Sequence, residues 1–200
     1  MSFDILFTIL FLSAVIGLLV FEGLHRWIYG FSVRTERQII VYLREVDLEH
    51  LKDLLNLADE GYLRLNLSAG EFRKEQRHRI SVTLEHYGRM AHNSRLVQQW
   101  ANTEMRRSRL TRNRAVARAS RELNNLCIEF RVNALMTKMR LHAWLFRIKA
   151  LPFISVPFLA EARRIDSFDL VYSYERIRQG AEKLSRACGS SYQDQLAQGM

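Results

Sequence analysis

The segment Glu75-Gln-Arg-His78 places a carboxylate and an imidazole three residues apart, which brings them to one face of a helix. In a four-helix bundle, two such motifs and two further glutamates build a di-metal carboxylate site. Glu71 lies one turn earlier, on the same side. The second motif is missing from the soluble helices, and four neighbouring cations would repel a metal ion: Arg73, Lys74, Arg77 and Arg79. A metal-binding enzyme that uses Glu71, Glu75 and His78 is therefore an alternative to a charged surface, and no cofactor is predicted.

A second candidate site is cationic. Residues 105–121 carry seven arginines and no acid: Arg106, Arg107, Arg109, Arg112, Arg114, Arg118 and Arg121. The wider stretch from His86 to Lys149 holds fourteen Lys or Arg against three acids, a net charge of +11, and the rest of the chain sums to −2. Such asymmetry predicts an anionic partner, either anionic lipid or an acidic protein. The alternative is that these arginines bind no partner and only keep the surface of a long helix solvated.

The same cations predict a nucleic acid as the anionic partner less strongly. The arginine stretch has no interleaved aromatic side chains on which bases could stack. It also lacks a helix-turn-helix, a zinc finger or another nucleic-acid-binding motif. A membrane-bound nucleic-acid-binding protein is therefore kept as a second alternative.

The N-terminal part of the sequence predicts a membrane anchor. Ile5–Phe21 is seventeen residues long and carries no charge, and as a helix it spans about 25 Å. The flanking residues can extend it across a hydrocarbon core of about 30 Å. A cleaved signal peptide would need a basic start and a small-residue cleavage site, and both are absent. Four residues are predicted to lie at the membrane interface: Arg26, Trp27, Tyr29 and Arg34.

Flanking charge predicts the orientation of this anchor. Asp4 precedes the apolar run, whereas Arg26, Arg34 and Arg37 follow it. The positive-inside rule then places the larger C-terminal part in the cytoplasm. Two cysteines, Cys127 and Cys188, are too few for a disulfide framework and agree with a reducing compartment.

The remaining sequence reads as helices. Ser68 and Glu71 have the spacing of a capping box, and no Gly or Pro occurs between Gly88 and Pro152. A break is expected at 111–113, so residues 105–121 form either one helix or the tip of a helical hairpin. We predict a helix end at Gly61, an extended connector over 63–67, and a last helix that is capped by Asp166 or Ser167 and stops at Gly189.

The helix Arg131–Lys149 has two apolar sets. One continues the core face, and the other contains Val132, Leu135, Met136 and Met139. We interpret the second set as a widening of the core face. The alternative is a surface-seeking amphipathic segment that touches the bilayer together with the apolar run Pro152–Pro157.

Together these observations predict an all-α protein: one N-terminal transmembrane helix followed by a bundle of about four helices with long members. The expected organisation is an anchor with its interfacial flank over 1–33, a cytoplasmic helical domain over 34–189, and a disordered tail over 190–200. The predicted function is that of a membrane-tethered, non-enzymatic scaffold or adaptor whose basic surface docks an acidic partner or the anionic leaflet.

Overall fold

The structure, a computed structural model, describes residues 35–150, 159, 164–165, 168–189 and 200. The chain divides into two units, Met1–Ser32 and Val33–Met200, and every described residue belongs to the second. The predicted transmembrane run Ile5–Phe21 and the interfacial residues lie outside the described residues. In the part that is described, no helix combines the length and apolarity needed to cross a bilayer.

The described part of the second unit is a helical bundle, as predicted, and its helices number six rather than about four. In chain order they are α1 (Glu36–Ile40), α2 (Leu48–Leu54), α3 (Leu57–Asn66), α4 (Ala69–Thr111), α5 (Arg114–Ala150) and α6 (Leu170–Cys188). Two two-residue strands, β1 (Arg164–Ile165) and β2 (Phe168–Asp169), pair antiparallel just before α6. The prediction of long members is confirmed, since α4 has 43 residues and α5 has 37.

Helix α4 starts at the predicted capping box. The Ser68 hydroxyl oxygen accepts from the Glu71 N–H, and a Glu71 carboxylate oxygen accepts from the Ser68 N–H at 3.1 Å. These reciprocal bonds satisfy two backbone donors that would otherwise be orphaned at the start of the helix. At about 1.5 Å per residue, α4 is roughly 64 Å long and forms the spine of the bundle.

Residues 105–121 form the tip of a helical hairpin rather than one continuous helix, because the chain turns between α4 and α5. Arg112 has left-handed backbone angles, with φ 54°, and ends α4. Asn113 then begins α5, because its side-chain oxygen accepts from the N–H groups of Ala115 and Val116. With so short a connection, α4 and α5 pack side by side along their length.

The core lies between α4, α5 and α6. All three helices bury large side chains there, among them Tyr87, Trp100, Leu123, Phe130, Leu141, Ile177 and Leu184. Asn93 is a buried polar junction in this core. Its side-chain nitrogen donates to the Arg44 carbonyl at 2.7 Å and to the Tyr174 hydroxyl at 2.9 Å. One side chain therefore links α4, α6 and the segment after α1.

The segment from α1 to α3 runs antiparallel to α4. The Tyr42 carbonyl is hydrogen-bonded to the His92 side chain. The Leu54 carbonyl accepts from the Arg79 side chain. The Glu60 carboxylate accepts from the Gln76 side chain. As residue numbers rise along the segment, the numbers of the partners on α4 fall. The described chain therefore enters beside the C-terminal part of α4 and proceeds towards its N-terminus.

Three local predictions are wrong. Helix α3 continues through Gly61 to Asn66, so neither the predicted helix end nor the connector over 63–67 exists. The Asn56 side chain starts this helix by accepting from the Ala58 N–H, and Leu63 packs against the core. Asp169, rather than Asp166 or Ser167, caps α6, because strand β2 occupies the residues just before it.

A further correction concerns α5. Val132, Leu135, Met136 and Met139 are exposed, so they do not widen the core face. The predicted stop of α6 at Gly189 is confirmed, with a left-handed φ of 69°. Of the predicted tail, Met200 is described: it is buried, and its carbonyl accepts from the Tyr174 hydroxyl.

Candidate functional site

The seven arginines of the predicted anionic-partner site lie together at one end of the bundle. All seven are exposed: Arg106, Arg107, Arg109, Arg112, Arg114, Arg118 and Arg121. We call this set the arginine tip. It comprises the last turns of α4, the turn itself and the first turns of α5. Exposed guanidinium groups on both sides of a tight turn form a compact cationic surface.

Few acids offset this charge. Among the described residues, Arg107 alone of the seven forms an ion pair, with 3.1 Å between its Nη1 and the Glu104 carboxylate. Glu122 follows Arg121 on α5, and its carboxylate pairs with Lys183 of α6, which lowers the pKa of Glu122. Arg114, Arg118 and Arg121 line an open groove together with Glu122 and Asn125.

The described chain enters the bundle at the same end. The pKa of the Cys188 thiol is raised to about 11, first by partial burial and then by the charges of Glu104 and Glu36, while Arg107 opposes them. These groups can act on one thiol only if they lie near one another. Glu36 begins α1, Cys188 ends α6, and Glu104 lies about 10 Å along α4 from its last residue. The start of the described chain is therefore beside the arginine tip.

Comparison with models of known protein families, with curated proteins and with solved structures found no match.

The structure does not assemble the alternative metal site. No group of three His, Cys, Asp or Glu side chains within the described ranges is placed to hold a metal ion. Glu71 is engaged by Ser68, whose side-chain and backbone hydrogen bonds lower the pKa of the Glu71 carboxyl. Glu75 lines a separate pocket, and His78 is exposed on α4.

That pocket contains polar residues that the sequence did not single out. It is lined by His50, Asp53, Leu54, Asp59, Tyr62, Leu63, Glu75 and Arg79. Arg79 is 4% exposed and donates through Nη2 to the Leu54 carbonyl, while its Nη1 has no hydrogen-bond partner among the described residues. The ring of His50, which is exposed, lies 5.6 Å from the ring of the buried His86 and is tilted by 53° against it. A buried arginine in a run of surface cations has no sequence signal, because tertiary packing alone distinguishes it.

The other feature that sequence reasoning misread is the outer side of α5. We call Val132, Leu135, Met136, Met139 and Phe146 the outer stripe. Met139 and Phe146 are 54% and 69% exposed, respectively, whereas Leu141 and Trp144 between them are buried. The helix therefore has one apolar face in the core and a second that faces away from it.

Proposed function

We propose that the protein is a membrane-tethered, non-enzymatic helical adaptor whose arginine tip contacts the anionic headgroups of the cytoplasmic leaflet. One observation supports this proposal above the others. Seven exposed arginines and the start of the described chain share the same end of the bundle.

The proposal joins this geometry to the predicted anchor. Thirteen residues lie between Phe21, the last residue of the apolar run, and Thr35, so the two are fourteen steps apart along the chain. Such a link reaches at most about 50 Å when extended, and about 21 Å when helical. A link of this length that starts at the tip end leaves the arginine tip within reach of the bilayer surface.

Charge favours the same arrangement. The positive-inside rule predicts that the bundle faces the cytoplasmic leaflet, which carries the anionic lipids. Each arginine near that surface contributes about 1 kcal/mol, within a Debye length of about 8 Å. Seven exposed arginines at one end are enough to hold the bundle in a preferred orientation. An acidic protein or a nucleic acid would use the same charges, and both are outcomes of the experiment below.

The test uses the full-length protein reconstituted into vesicles. A fluorophore on the exposed position Ala115→Cys, in a Cys188→Ser background, reports energy transfer to an acceptor on the lipid headgroups. We expect transfer to rise when phosphatidylserine is added to neutral phosphatidylcholine vesicles, and to fall as salt screens the contact. The triple variant Arg114→Gln, Arg118→Gln, Arg121→Gln removes most of this rise.

A matched control neutralises three cations near the other end of α4: Arg73→Gln, Lys74→Gln and Arg77→Gln. It removes the same formal charge and leaves the dependence on phosphatidylserine in place. The proposal fails if transfer is equal on neutral and anionic vesicles, or if the two triple variants behave alike. Displacement of the tip from anionic vesicles by short RNA or polyglutamate at physiological salt would assign it to nucleic acid or to an acidic protein instead.

A further inference from the structure

The outer stripe follows the line of α5 that points away from the core. At 100° per residue, Val132, Leu135, Met136, Met139 and Phe146 fall within an arc of about 100°. The buried residues Leu123, Ala134 and Leu141 fall on the opposite side of the same helix. The stripe runs for about 21 Å along the axis. An exposed apolar line of this length on a helix that is already packed marks a contact surface.

Basic side chains border both edges of the outer stripe. Arg140 and Arg147 lie about 20–40° beyond one edge, and His142 and Lys149 lie about as far beyond the other. All four side chains are exposed. A helix with an apolar line between basic margins matches the profile of an anionic bilayer interface, because the apolar side chains enter the acyl boundary while the cations reach the headgroups.

The same line of α5 continues into the arginine tip. Arg114, Arg118 and Arg121 fall within the same arc of about 100° as the outer stripe. From Arg114 to Phe146 this face is about 48 Å long, cationic in its first half and apolar in its second. The two halves therefore form one continuous surface rather than two unrelated patches.

We propose that this face of α5 lies on the anionic bilayer, with the outer stripe inserted at the interface as a monotopic contact. A second copy of the chain is a poorer occupant, because two stripes in contact would bring basic margins together on both sides. A partner protein would need acidic residues along both margins and also opposite the three arginines, whereas an anionic leaflet supplies both at once. The inference rests on the proposed function, and it specifies how the bundle lies on the leaflet.

The experiment measures immersion of the stripe in the full-length protein. An environment-sensitive fluorophore is placed at Met136→Cys in the Cys188→Ser background, in vesicles that contain phosphatidylserine. A matched label at Ser81→Cys occupies an exposed position on α4. Nitroxide-bearing lipids and aqueous iodide serve as the two quenchers. We expect the label at 136 to be quenched by the lipid nitroxide and protected from iodide, and the label at 81 to show the reverse.

A second substitution tests the cause. In the protein labelled at 136, Met139→Glu adds a charge to the stripe and is expected to lower the immersed fraction at least about tenfold, whereas Met139→Leu preserves it. Both substitutions are at a solvent-exposed position, so the fold is retained.

Two results would overturn the inference. One is a label at 136 that iodide reaches as readily as the label at 81. The other is a label that is protected from iodide but not quenched by lipid, which would show that a protein, including a second copy, covers the stripe. Either result combined with an intact phosphatidylserine response of the tip label would reject the inserted stripe and leave the proposed function standing. Loss of both responses would reject both.

Discussion

The Glu60 carboxylate binds the backbone N–H of Leu159, with 2.7 Å from the nitrogen to each of the two oxygens. Glu60 is completely buried on α3 and also accepts from the Gln76 side chain on α4. Ninety-nine residues separate Glu60 from Leu159 in sequence. A single buried side chain thus joins α3, the spine of the bundle and the chain that follows α5.

This junction predicts a large effect of truncation. Glu60→Ala leaves the Leu159 N–H and the Gln76 amide without this acceptor in a buried site, and should lower the free energy of unfolding by about 2–4 kcal/mol. Glu60→Gln keeps one acceptor oxygen and should cost less. Denaturant unfolding of the detergent-solubilised protein, followed by the fluorescence of buried Trp100 and Trp144, measures both. Asp59→Ala, at the exposed neighbouring position, should cost less than about 1 kcal/mol. Equal losses at the two positions would contradict the role of Glu60.

Local signals in the sequence predicted much of this fold. The Ser68–Glu71 capping box, the break at 111–113 and the stop at Gly189 are short-range features that involve neighbouring backbone groups. The inward faces of α4, α5 and α6 follow from helical periodicity, because burial selects one side of each helix. These parts could be predicted from the sequence because the interactions that determine them lie within one or two helical turns.

Tertiary packing decided the parts that sequence reasoning missed. Gly61 resembles a helix stop, but α3 continues because it packs along α4. The outer stripe has the same apolar composition as the core face, so composition alone could not show which of them the neighbouring helices cover. The exposure of the arginine tip was predictable from its charge. Its position beside the start of α1 was not, because it depends on the antiparallel course of α1 to α3.

Substitutions at two glycines are expected to change the free energy of unfolding in opposite directions. A Cβ at Gly61 would meet nothing within 4 Å, whereas one at Gly180 would lie 3.1 Å from Leu123 Cδ1. Gly61→Ala should therefore raise the free energy of unfolding by about 0.5–1 kcal/mol, because alanine costs less backbone entropy in a helix. Gly180→Leu should lower it by about 1–3 kcal/mol through overpacking between α5 and α6.

The same denaturant titration measures both glycine variants against the parent protein. Gly61→Leu is the matched control for Gly180→Leu, because it adds the same side chain where there is open space. A loss at Gly61 as large as the loss at Gly180 would show that close approach of the helices is not the cause.

The buried His86, which lies against the exposed His50, predicts a stability that depends on pH. Burial lowers the pKa of His86, the positive charges of His50 and Arg89 lower it further, and Asp47 and Glu85 oppose them. In an unfolded chain an imidazole gains its proton near pH 6.5. Since the folded protein resists that proton, the unfolded state binds more protons as the pH falls below about 6.5. The His86 contribution is therefore fully present above that pH and is lost on acidification.

We expect His86→Phe, which keeps a ring against His50 but cannot titrate, to flatten the fall in the unfolding midpoint between about pH 7 and pH 5. The midpoint is read from urea titrations of the detergent-solubilised protein across that range. His78→Phe replaces an exposed histidine on the same helix and should leave the slope as steep as in the parent. A parent midpoint that is constant over this range, or a slope that persists in His86→Phe, would rule out this histidine as the source of the acid sensitivity.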